Sequence, residues 1–135
     1  MERLKERLVI GRQALSTLHD ILLQPKTSVV RDAAIQRFEY TFEAVWKAVQ
    51  VYLRVRESLE TGSPKSAIRG SFRVGLLSEE QARKALTMAD DRNLTVHTYN
   101  ESLAEQIYSR ISEHSAVMEL WLNAMEREIR QDETL

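Results

Sequence analysis

The stretch DRNLTVHTYN, residues 91–100, places an arginine (Arg92), a histidine (His97) and a tyrosine (Tyr99) within eight positions. Arginine offers a planar, permanently charged fork suited to a phosphate. Imidazole is the side chain whose unperturbed pKa lies close to neutral pH. Arranged around a phosphodiester, a guanidinium, an imidazole and a phenol are what metal-free RNA cleavage needs. The imidazole acts as base toward the 2′-hydroxyl, and the cation stabilises the pentacoordinate phosphorus.

Whether these groups meet depends on the backbone. A continuous helix would set Arg92 and His97 about 140° apart, and His97 and Tyr99 about 160° apart, so neither pair would converge. An extended chain points positions two apart the same way and makes His97 and Tyr99 neighbours. The β-branched Thr95, Val96 and Thr98 favour that non-helical path. Asn100, or Ser102 with Glu105 as a capping box, can open the helix that follows. His97 and Tyr99 would then lie at a helix N-terminus, where N–H groups and the macrodipole favour an anion. The same residues also read as a helix junction held by hydrogen bonds, and spacing alone leaves both readings open.

Other polar residues offer less. His19, His97 and His114 have neither an HExxH spacing nor a cysteine partner, so no metal site is expected. His19 and His114 read as surface or helix-end residues. Neither GxGxxG nor GxxxxGK[ST] occurs, which argues against Rossmann and P-loop nucleotide binding, and no cofactor is expected. Lys65, Arg69 and Arg73 fall four apart with no acidic residue between Ser63 and Gly75. That spacing aligns three positive charges, either a solvated face or a docking stripe for RNA phosphates or an acidic partner.

Helices must carry these residues. Leu4, Leu8, Leu15, Leu18 and Leu22 mark an amphipathic helix over residues 2–23, ended by Pro25, with Ser28 as the next cap. The second helix, over 29–59, is the longest at ~45 Å. Its first stripe is Phe38, Phe42, Val45, Trp46, Val49 and Leu53. A second stripe, Ala33, Tyr40, Ala44, Ala48, Val51 and Val55, lies on roughly the opposite side and calls for other partners, such as a second copy of the chain. Ser63 and Pro64 open a short helix that stops at Gly75. Ser78 and Gln81 form a capping box for a fourth helix ending near 90. Leu103, Ile107, Ile111, Met118, Trp121, Met125 and Ile129 mark a fifth helix to about 129. The expected fold is all-α, an up-and-down bundle of about five helices with a four-helix core, in one domain spanning 1–135, the second and fifth helices forming its central pair.

Composition agrees. Of 135 residues, 43% are hydrophobic and 29% charged, with only four Gly and two Pro, too few turn residues for a many-stranded sheet. The net charge of −1 gives no overall attraction to nucleic acid, so phosphate binding must be local. No apolar run nears the ~18 residues that span a bilayer, and the charged MERLKERL does not resemble a signal peptide. No membrane association and a cytoplasmic location are expected, in keeping with the lack of cysteine.

The segment RNLTVHTY, residues 92–99, resembles the R-x4-H-x-Y form of the HEPN-domain motif. RFEYTFEAVWKAVQVYL (37–53) resembles the second-helix signature of one HEPN branch, the nucleotidyltransferase substrate-binding protein family. SPKSAIRGSFRVGLL (63–77) resembles its next helix, and DRNLTVHTYNESLAEQIY (91–108) its motif and last helix. Together the pieces cover nearly the whole chain in order. The resemblance implies a homodimeric helical bundle partnered by a minimal nucleotidyltransferase. In the related HepT toxins the motif forms a metal-independent RNase that the partner silences by transferring AMP to the motif tyrosine. Carried over, the resemblance makes Arg92 the ligand of the scissile phosphate and His97 the general acid/base, with RNA as substrate. Asn93 would orient the phosphate or His97, and Tyr99 would assist and be the adenylylation target. Extra bulk and negative charge on Tyr99 beside Arg92 would compete with RNA phosphate. The branch name implies the alternative, a non-catalytic subunit presenting a substrate or itself to the nucleotidyltransferase.

Overall fold

The computed structural model describes residues 1–97 and 100–134, except for the side chains of His97, Glu133 and Thr134. Its elements, in order, are α1 (Glu2–Leu22), α2 (Ser28–Glu57), α3 (Pro64–Arg73), α4 (Glu79–His97) and α5 (Glu101–Thr134). All are helices, as the composition requires. No helix among the described residues is long and apolar enough to cross a membrane.

Local chemistry sets most boundaries. Thr27, rather than Ser28, caps α2, its hydroxyl accepting from the Val30 N–H at 3.0 Å. That helix ends on Ser58, which takes the left-handed conformation (φ 53°) and lets the Leu59 N–H return to the Leu53 carbonyl at 2.9 Å. Ser63 and Ser66 cap α3 reciprocally, with Pro64 at its first position. Gly75 follows with φ 83°, a conformation side chains resist. Ser78 and Gln81 form the expected capping box of α4.

The last two helices outrun their expected ends. α4 continues past residue 90 to His97 and takes in most of the expected non-helical break. The Thr95 hydroxyl returns to the Arg92 carbonyl at 2.7 Å, a local bond that settles a β-branched residue in the last turns. Asn100, not Ser102, caps α5 by accepting from the Leu103 N–H at 2.8 Å. α5 then runs on to Thr134, past the expected end near 129, and Asp132 meets Arg56 of α2 at 2.5 Å.

α2 packs against every other helix, most extensively along α1 and next along α5, so the central pairing is shared rather than confined to α2 and α5. Its first stripe is buried throughout, and Phe38, Phe42 and Leu53 meet Leu15, Leu18, Trp121, Met118 and Ile111 in one continuous core. Each such side chain contributes about 1.5–3 kcal/mol on leaving water. The second stripe divides. Ala48 and Val51 are buried within the chain, while Tyr40 and Val55 stay 44% and 46% exposed. Neighbouring helices therefore cover much of the face that the sequence left without a partner.

Candidate functional site at the end of helix α4

The last turns of α4 stand on a buried polar foot. Asp91 accepts two hydrogen bonds from Arg110 of α5, both at 2.8 Å, and one from His114 Nε2 at 2.6 Å. Burial pushes the Asp91 carboxyl up, but the bonds from Arg110 and His114 outweigh it and hold the group below its ordinary range. Ionised, Asp91 can only accept, so His114 donates through Nε2–H. The His114 ring in turn stacks on Phe38 of α2 at 5.3 Å. One carboxylate thus ties α4 to α5, and through the imidazole to α2.

His114 was expected at the surface or a helix end; it is buried, 3% exposed. The sequence held a signal for this. Ile107, Ile111 and Met118 are core residues of α5, and His114 falls in the seven-residue gap of that stripe, four after Arg110. His19 is exposed, as expected.

Arg92 follows Asp91 and turns toward α2. Its Nη2 donates to Glu43 Oε2 at 3.1 Å, and Glu43 also meets Lys47 one turn along at 3.3 Å. The Arg92 Nε–H is buried and finds no hydrogen-bond partner among the described residues. The guanidinium is therefore held at one edge by a carboxylate, with donor capacity in reserve. By sequence spacing alone, Glu43 is no more than an i,i+4 partner of Lys47. Asn93 is exposed beside Arg92.

Helix α4 includes both Arg92 and His97, so their positions lie about 140° apart around its axis. Up to His97 the backbone is helical rather than extended, and the helix does not by itself direct the two positions to one point; the expected path from His97 to Tyr99 falls outside the described residues. The His97 side chain and Tyr99 lie outside the described residues.

The basic stripe of α3 is split. Lys65 pairs with Asp90 of α4 at 2.6 Å, while Arg69 and Arg73 are exposed. Arg31 of α2, a residue with no role in the sequence reading, is buried and ties down the start of α5 through Glu101 (2.7 Å) and Glu105 (2.9 Å). Among the described residues, no group of three or more His, Asp or Glu side chains is placed to hold a metal ion.

Residues 6–127 match the family described as nucleotidyltransferase substrate binding protein like. A Haemophilus influenzae protein named "Probable ribonuclease HepT" is 30% identical over 100 residues, which span 67% of this chain and 65% of that protein, just under two thirds of its length. A crystal structure from Thermus thermophilus superposes with a TM-score of 0.81 at 54% identity, covering 85% of this chain and 98% of that one. The Shewanella oneidensis HEPN toxin, solved in tri-AMPylated form in complex with its MNT antitoxin, superposes with a TM-score of 0.76 at 12% identity, covering 92% and 96%. At that identity the likeness is one of fold, and it makes the bundle HEPN-like.

Proposed function

The chain belongs to the nucleotidyltransferase substrate-binding protein family, and from that premise we propose that it is the HEPN-type subunit of a two-gene, toxin–antitoxin-like pair with a minimal nucleotidyltransferase. In this reading the subunit is a metal-independent RNA endonuclease. His97 takes the proton of a ribose 2′-hydroxyl, the 2′-oxygen attacks the adjacent phosphorus, and the bond to the 5′-oxygen breaks as the His97 imidazolium gives that proton to the leaving oxygen. Arg92 neutralises the phosphate during attack, and Asn93 orients it. The observation that carries the reading is the mounting of Arg92. Its neighbour Asp91 is clamped by Arg110 and His114, and its own edge is held by Glu43. A guanidinium held at one edge, on a backbone anchored through the preceding residue, is preorganised for a phosphate. The angular separation of positions 92 and 97 supports a homodimer, in which two copies of α4 complete one site.

Transfer of AMP from ATP to the Tyr99 hydroxyl by the partner, with loss of pyrophosphate, would place a phosphodiester anion near Arg92 and compete with RNA. Arg69 and Arg73 would dock RNA phosphate or the partner, with Lys65 held back by Asp90.

The Arg92–Glu43 pair also favours a second reading, because a cation already met by a carboxylate suits a binding subunit without catalysis. One experiment separates the two. Purified protein is incubated with RNA in EDTA beside its His97→Ala variant. Cleavage by the wild type and its loss in the variant support the nuclease. No cleavage by either supports the binding subunit. Mass spectrometry of Tyr99 after co-expression with the nucleotidyltransferase tests the modification.

A further inference from the structure

One helical turn from the Arg92–Glu43 pair, a cavity of about 140 Å³ opens between α2, the end of α4 and the start of α5. Its floor is apolar and buried: Ile35, Ala104 and Ile107. Its α2 rim carries Asp32, Gln36 and the half-buried Glu39. Glu39 precedes Glu43 by four residues on α2, and Thr95, also lining the cavity, follows Arg92 by three on α4. On both helices the lining residues thus lie about one turn, ~5–6 Å along the axis, from the residues of the Arg92–Glu43 pair, a spacing on the scale of one nucleotide.

We propose that this cavity is a base subsite that takes adenine. This deepens the reading above, since it presumes that Arg92 meets a phosphate. An apolar floor with a few polar groups at one edge is how proteins hold a planar ring. A carboxylate accepts from an exocyclic amine and repels a carbonyl oxygen. Asp32 is already met by Arg31 at 3.0 Å, so of the two carboxylates Glu39 is the one whose charge selects among bases. Adenine is the base whose only exocyclic group is an amine. Uracil, guanine and cytosine each bring at least one carbonyl. The same carboxylates keep phosphate out of the cavity and leave it to Arg92, which fixes the orientation of the nucleotide along the groove.

The test is binding of labelled 2′-O-methyl oligomers of A, C, G and U, read by fluorescence anisotropy. The blocked 2′-oxygen removes the nucleophile, so the readout is independent of cleavage. The A oligomer is expected to bind about tenfold tighter than the U oligomer, the scale of one matched base edge. Glu39→Gln, which can turn an amide donor toward a carbonyl, is expected to bring the two within about threefold. Ala104→Met, which fills the floor, should weaken the A oligomer selectively. Competition by 5′-AMP where 5′-UMP fails assigns the site to a mononucleotide, and competition by oligomers alone assigns it to a strand. Equal affinity for all four oligomers, no binding, or an adenine preference that survives both substitutions overturns the subsite. Selective binding without cleavage sinks the nuclease reading alone, and cleavage without base preference sinks the subsite alone.

Discussion

Arg92 of α4 donates to Glu43 of α2 at 3.1 Å, across the groove where the two helices meet. The pair is partly exposed, so its contribution to stability is small, on the order of 0.5 kcal/mol. Its effect on an incoming anion is larger, because the carboxylate lies against the one guanidinium that the motif supplies. Glu43→Gln keeps the shape and removes the charge. The variant is expected to melt within about 2 °C of wild type and to bind a non-cleavable RNA roughly three- to tenfold more tightly at low salt. Filter binding across a salt series checks this, and unchanged affinity would show that the phosphate does not visit Arg92.

Trp121 of α5 donates its indole N–H to Ser71 Oγ of α3 at 3.0 Å, with both side chains fully buried. Ser71→Ala leaves that donor without a partner in the core. A loss of about 1–3 kcal/mol is expected. It should show as a lower urea midpoint at unchanged slope.

Ser58 ends α2 in the left-handed conformation that glycine adopts without strain. Its substitution by Gly is expected to stabilise the chain by about 0.5–1 kcal/mol, because relief of that strain outweighs the added freedom of the unfolded chain. Thermal unfolding of Ser58→Gly would test this. A lower melting temperature would mean that the Ser58 side chain holds something its backbone does not reveal.

The bundle was legible because its signals are short-range. Apolar spacing placed the five helices, and Ser63, Ser78 and Gln81 fixed two starts through contacts three residues apart. The ends of α4 and α5 were not legible, because they depend on partners far along the chain. Asp91 is a helix residue once Arg110 and His114 hold it, and Asp132 once it meets Arg56. The candidate site shows the same division. Arg92 and Asn93 stand out by type and spacing, whereas Glu43, Glu39 and His114 acquire their places only through packing between helices. Propensity at Thr95 and Val96 pointed away from helix and lost to those contacts.

Asp91 gives the site a pH signature. Its carboxyl is held below the ordinary range, so the unfolded chain takes up its proton first as pH falls. The stability it contributes is complete above the unfolded carboxylate pKa, about 3.9. It is then lost as pH drops through the lower folded value. Asp91→Asn removes the charge that Arg110 and His114 face. It should lower stability by about 3 kcal/mol near neutral pH, toward the lower end for a broken buried pair because Arg110 reaches solvent. Urea unfolding of both proteins from pH 7 to pH 2 provides the test. The wild-type advantage should stay level down to about pH 4 and shrink below it. An advantage that instead disappears between pH 7 and 5 would place the controlling titration elsewhere. If the foot positions Arg92, Asp91→Asn should also weaken RNA binding while the variant is still folded, and Glu43→Gln measured beside it separates lost positioning from lost charge.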